Sequence, residues 1–199
     1  MDLIAAALAN PINRKILERL PLLGAPHACL VAGSVYQALW NARANRPAAE
    51  GVKDYDLFYY DGTDLSYEAE DRVIARARAL FADLDVLIDV KNQARVHLWY
   101  PQRFGGAYPP LARVEEGVAR FLVRATCVGL MPQVAGTLAL IAPYGLEETA
   151  AGILAPNPHW RPSLERFRAK AESYRARWPW LRIVEAPPPF PPPKTGEER

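Results

Sequence analysis

Cysteine is nearly missing: Cys29 and Cys127 are the two present among 199 residues, far apart in the chain. That excludes a disulfide framework and any paired-cysteine zinc motif, and it points to a reducing, cytoplasmic compartment. Histidine is equally sparse. His27, His97 and His159 stand at no metal-ligand spacing, so zinc is not indicated. No apolar run approaches the roughly 20 residues that span a bilayer. The N-terminus carries Asp2 and a short apolar stretch at 3–8, without a basic leader or a small-residue cleavage pattern, so neither secretion nor membrane spanning is expected. A Gly-x-Ser-x-Gly elbow is also lacking and neither cysteine has an identifiable base, which leaves nucleophilic hydrolysis without support. Excess charge is missing too, with 24 Lys and Arg against 22 Asp and Glu.

What remains is an ordinary globular composition, 50% hydrophobic and 23% charged, long enough for one domain with a sizeable core. Proline is the unusual count, at 19, and six of the seven residues at 187–193 are proline. This segment reads as an extended tail at 187–199 on a single domain at 1–186, whose core is expected at about 28–105 with a C-terminal extension at about 106–186. The small positive balance comes from the end of the chain. Residues 1–160 hold 15 basic and 17 acidic side chains, whereas 161–199 hold 9 and 5.

The apolar pattern begins with two helices, the second capped by Asn10 and Pro11. Cys29-Leu30-Val31-Ala32 then reads as a buried strand that turns at Gly33-Ser34 into a helix starting at Val35. A polar loop of unusual length follows at 41–53. Asp54 to Asp61 is rich in aromatics and reads as a strand; Ser66 caps a helix with an acidic first turn and basic later turns. Residues 86–90 form another strand, and 95–100 a further one, expected as its hairpin neighbour. Later come a helix around 114–122, a strand at 137–142, and from about Pro162 an amphipathic helix burying Leu164, Phe167, Ala171, Tyr174 and Trp178. The fold class is α/β, a small mixed sheet flanked by helices.

Chemistry concentrates in the carboxylates. Alternate side chains of a strand point the same way, so Asp54 and Asp56 share a face about 6.6 Å apart along the backbone. Asp89 lies in the next strand of similar character, and adjacency would bring all three together. Clustered carboxylates repel unless a cation compensates them, and hard oxygen ligands suit Mg²⁺. Gly33 and Ser34 open a helix, whose free amides and positive end form a phosphate site. Each feature alone has a structural explanation: an Asp-x-Asp is common at strand starts, and a Gly-Ser turn is common before helices.

Together, Leu30-Val31-Ala32-Gly33-Ser34, Asp54-Tyr55-Asp56-Leu57 and Ile88-Asp89-Val90 resemble the signature of the DNA polymerase β-like nucleotidyltransferase superfamily. The strings VAGSVYQALWN, VKDYDLFYYD, NQARVHLWYPQRFG and APYGLEETAAGILAPNP are similar to a bacterial family of small nucleotidyltransferase-like proteins without an established substrate, over about 28–160. One departure is the 19 residues between Ser34 and Asp54, more than the superfamily usually shows. The resemblance implies transfer of a nucleoside monophosphate from a nucleoside triphosphate to an acceptor hydroxyl. It implies two Mg²⁺ ions held by Asp54, Asp56 and Asp89, with Asp89 toward the acceptor and Gly33 and Ser34 on the β- and γ-phosphates.

Lys53, directly before the Asp pair, is a candidate for steering a nucleotide. Arg95, His97 and Trp99 alternate along the expected strand beside Asp89, so Arg95 and His97 are candidates for phosphate, acceptor or base, and Trp99 for packing. Arg161, Arg166, Arg168, Lys170, Arg175 and Arg177 give the last helix a basic face, which suits solvent or nucleic acid phosphates. A small molecule or a protein is an equally open acceptor. Tyr36, Tyr55 and Tyr59 have spacings that suit either base stacking or the core. A second functional class remains beside the transferase, a non-catalytic nucleotide- or partner-binding module on the same fold.

Overall fold

Side-chain caps set the first helices. Asp2 accepts from the Ile4 amide at 2.9 Å and starts α1 (Leu3–Ala9). Asn10 accepts from the amides of Ile12 and Asn13 and, with Pro11, starts α2 (Pro11–Arg19). A computed structural model describes residues 2–158 and 164–185. The proline-rich segment at 187–199, His159 and Arg161 lie outside the described residues, as does the expected start of the last helix at Pro162.

The strand β1 (Cys29–Val31) is fully buried and turns at Ala32 into α3 (Gly33–Arg43). β2 (Asp54–Tyr59) alternates: Tyr55, Leu57 and Tyr59 enter the core while Asp54, Asp56 and Phe58 occupy the other face. Ser66 caps α4 (Tyr67–Leu80) by accepting from the Ala69 amide, and the helix returns the chain to β3 (Leu87–Asn92), parallel to β2. α5 (Val96–Phe104), α6 (Val114–Val118), β4 (Gly129–Pro132) and β5 (Leu138–Ile141) follow. The sheet runs β3-β2-β1-β4-β5, antiparallel at every pairing except β2 with β3. After α7 (Glu147–Ala151), β6 (Ile153–Leu154) pairs in parallel with β7 (Arg182–Ile183), bracketing α8 (Leu164–Arg177).

The larger core lies on the face of Leu30, Leu57 and Tyr59, packed by α1 to α4 and reached by Phe167 and Tyr174 of α8 and by Trp178 just after it. A smaller core on the opposite face joins Cys29 and Val31 to Val114, Val118, Cys127 and Ile141. No helix among the described residues is long and apolar enough to cross a membrane.

Two expectations need correction. Residues 95–100 are not a hairpin strand but a helical segment. Asn92 ends β3, and its side chain accepts from the Ala94 amide at 3.1 Å, opening a 3₁₀ turn at Gln93–Arg95 that leads into α5. The sequence 95–100 alternates polar and apolar only by coincidence of composition. The polar loop expected at 41–53 starts later, at Ala44: α3 continues to Arg43, and the Asn41 side-chain amide donates to the carbonyls of Ala48 and Glu50, folding the loop onto the helix end.

Candidate active site

The β1–α3 junction is the sharpest turn in this part of the chain. Ala32 takes φ 55°, a left-handed conformation unusual for a residue with a Cβ, and its carbonyl accepts from the amides of Val35 and Tyr36. Gly33 then forms the first residue of α3. A Cβ there would lie 2.9 Å from Nε2 of Gln37 and would push the end of that side chain aside. The first amides of a helix have no partner within it and carry its positive end, which suits an anion.

A cleft of about 590 Å³ lies against this terminus, walled by Ala32, Gly33, Lys53, Asp54 and Asp56 on one side and by residues of α8 on the other. Of the candidates from the sequence, the structure brings Gly33, Lys53, Asp54 and Asp56 to the cleft. Ser34 is completely buried beneath it, its Oγ without a hydrogen-bond partner among the described residues. Asp89 lies directly across from Asp56 in the parallel β2–β3 register, on the same face but outside the cleft lining, and accepts from Lys91 Nζ at 2.6 Å.

The electrostatic consequence appears on Asp56. Burial, then the neighbouring charge of Asp54 and that of Asp89, raise its carboxyl to about 7, and Lys170 and Lys91 oppose the rise. Asp56 therefore sits in a field with more negative charge than the local lysines offset. The donor set of Asp54 and Asp56, two hard-oxygen carboxylates with unbalanced charge, fits a divalent cation. Among the described residues no three His, Cys, Asp or Glu side chains are gathered into a group able to hold a metal ion, and Asp89 would have to leave Lys91 to join one.

Arg95 and His97 are elsewhere. Arg95 is buried in an ion pair with Glu70 and donates to the Leu65 carbonyl at 2.9 Å, while Glu70 also accepts from the Asn92 amide at 2.7 Å. Its guanidinium is committed to holding α4 against the end of β3. His97 lies on α5 with a buried Nδ1 that has no hydrogen-bond partner among the described residues, and neither residue lines the cleft. The candidate roles proposed for them beside Asp89 required a strand that does not exist.

The sequence named Lys170 and Arg177 for a basic face of the last helix and Tyr174 for its buried stripe, but not this helix as the second wall. Lys170, Ser173, Tyr174 and Arg177 line the cleft from α8. Arg177 donates to Oε1 of Gln37 at 3.1 Å and covers the Trp178 ring at 4.3 Å, and Tyr36 donates to the Tyr174 hydroxyl at 2.9 Å. Burial pushes both tyrosines up, Tyr174 to about 12. The 3-4-3-4 spacing revealed the buried stripe of α8, but the docking of its edge over β2 is a tertiary fact. Tyr55 and Tyr59 are buried on the other face of β2, and Trp99 belongs to an aromatic group on α5.

Residues 18–183 match a family described as nucleotidyltransferase. The chain is also similar to a solved structure, determined by NMR and described as a CCA-adding enzyme head domain, at 23% identity and a TM-score of 0.74, covering 92% of this chain and 95% of that one. A second similar structure is a complex of a CCA-adding enzyme with CTP, at 12% identity and a TM-score of 0.55; it covers 93% of this chain and 44% of that one, so the present chain spans less than half of that enzyme. At these identities the likeness is one of fold. No curated protein matches the sequence.

Proposed function

This chain belongs to the nucleotidyltransferase family, a class of NTP-using transferases, and from that premise we propose that it moves a nucleoside monophosphate from an NTP to an acceptor hydroxyl in the cleft between β2 and α8. The observation that carries the reading is the meeting, in one cleft, of an open helix terminus at Gly33 with a carboxylate pair whose excess negative charge is felt at Asp56. A triphosphate laid along the cleft places its β- and γ-phosphates at the α3 amides. Lys53, Lys170 and Arg177 supply positive charge along the same path. Ser34, completely buried behind the turn and outside the cleft lining, supports the terminus from below, and its hydroxyl does not face the phosphates.

In the transfer, the acceptor oxygen forms a bond to the α-phosphorus while the bond from that phosphorus to the α–β bridging oxygen breaks, and pyrophosphate leaves with the electron pair. The acceptor's proton passes to a carboxylate, the role Asp89 would take beside Asp56 once free of Lys91. Asp54 and Asp56 would hold Mg²⁺, which would supply charge neutralisation on the transferring phosphate. The CTP complex of the similar CCA-adding enzyme agrees with an NTP as the donor.

Thermal melting with each of the four NTPs, with and without Mg²⁺, tests this. Metal-dependent stabilisation lost in Asp54→Ala and Asp56→Ala supports it, and no shift with any nucleotide overturns it. The Asp89–Lys91 contact favours a second reading, a module that binds nucleotide without transferring it. Stabilisation by NTP without pyrophosphate release, on incubation with labelled nucleotide and cell extract, selects that reading.

A further inference from the structure

Beside the cleft, the structure gathers a group of aromatic rings unlike a core cluster. On α5 and the segment after it, the Tyr100 ring lies 4.9 Å from that of Phe104 and 4.7 Å from that of Tyr108, and Trp99 lies 6.3 Å from Phe104. Phe104 is 43% exposed and the other rings are half-buried, so they are not sealed inside the protein.

Cations are interleaved with these rings. Arg103 and Arg166 cover Phe104 at 5.4 and 5.6 Å, and Arg120 covers Tyr108 at 5.0 Å. Arg103 and Arg120 make no ion pair among the described residues, in contrast to Arg113 nearby, which pairs with Glu116. The surface therefore combines part-exposed aromatic rings with two arginines, Arg103 and Arg120, that pair with no carboxylate among the described residues.

The patch is continuous with the cleft along two elements. Arg166 and the cleft residue Lys170 are four positions apart on α8, one turn or about 6 Å along the axis. Arg120 directly precedes Phe121, which lines the cleft. Positive side chains thus lead from the open rings to the carboxylates.

From this juxtaposition we infer that the acceptor is a single-stranded nucleic acid, its bases stacked on the rings of Tyr100, Phe104 and Tyr108, its phosphates met by Arg103, Arg120 and Arg166, and its end directed into the cleft. The inference rests on the transferase reading for the role of that end. Single strands offer free base faces for stacking and a phosphate backbone for the arginines, whereas a duplex keeps its bases stacked on each other. An acidic protein would use the charge but has no need of the open rings.

The test is fluorescence anisotropy of the full chain with labelled single-stranded RNA of about 12 nucleotides, without NTP or divalent metal. Binding is expected, weakening steeply between about 50 and 200 mM salt. Phe104→Ala combined with Tyr108→Ala should weaken it roughly tenfold or more. Arg103→Glu with Arg120→Glu, which leaves the core untouched, should remove it. No binding up to about 100 µM, at the weak end of non-specific association, overturns the inference, as do ring and arginine variants that bind like the parent. An acidic peptide that binds as well as the RNA overturns it in favour of a protein partner. Transfer to another acceptor without RNA binding refutes this inference alone, and RNA binding without any transfer refutes the transferase reading alone.

Discussion

Replacing Asp56 by Asn should make the metal-free protein more stable, because the native fold holds this carboxyl against its own charge. The group rises from 3.8 to about 7, chiefly by burial and then by Asp54 and Asp89. The native state therefore binds the proton between those values while the unfolded state has released it. Stability falls as pH rises through this window and is lowest above it, where Asp56 must be ionised in both states. About three units at 1.36 kcal/mol each set a ceiling near 4 kcal/mol, and because the side chain is only half-buried we expect about half of that above pH 7. In a chain of this size that is a gain of about 4–8 °C in Tm. Between pH 8 and pH 5 the advantage of Asn should shrink by about 1–2 kcal/mol. Urea or thermal unfolding of both proteins in EDTA at the two pH values measures it. An Asp56→Asn protein no more stable than the parent at pH 8, or with an advantage independent of pH, refutes the reasoning.

Arg95→Ala should cost about 3–5 kcal/mol in an unfolding experiment by leaving Glu70 buried and uncompensated, while the folded protein retains its affinity for NTP. Lys170→Ala should weaken NTP binding about tenfold in calorimetry with little loss of stability, since the side chain lines the cleft and faces Asp56. The buried thiols, raised by desolvation (Cys127 to about 12), should both resist a thiol reagent in the native state and both react after denaturation. Modification of either in the folded protein would contradict their place in the core.

The local chemistry of this chain was legible where one element holds it. Asn10-Pro11 and Ser66 announced their helices because a cap is satisfied within three residues. Asp54 and Asp56 could be placed on one face because a strand alternates, and the β2–β3 register then confirmed Asp89 as the neighbour of Asp56. The failures are tertiary. Residues 95–100 mimic a strand in composition, but the Asn92 cap bends them into a helical segment, which takes Arg95 and His97 away from the cleft. β4, the central partner of β1, carries Gly129 and Pro132 and too little alternation to announce itself. The far wall of the cleft was hidden for the same reason: the pattern of α8 shows that it is amphipathic, not which element it covers.

That far wall also fixes when the protein can work. Gly33 and Asp56 are synthesised early, but the residues opposite them arrive more than a hundred positions later: Tyr174 reaches back to Tyr36 and Trp178 to Asn41. A chain still emerging from the ribosome can complete β1 to β3 and bury Leu57, yet it has only half a cleft until α8 is made and docked. On the proposed reading, nucleotide capture by a growing chain therefore waits until α8 is made and docked.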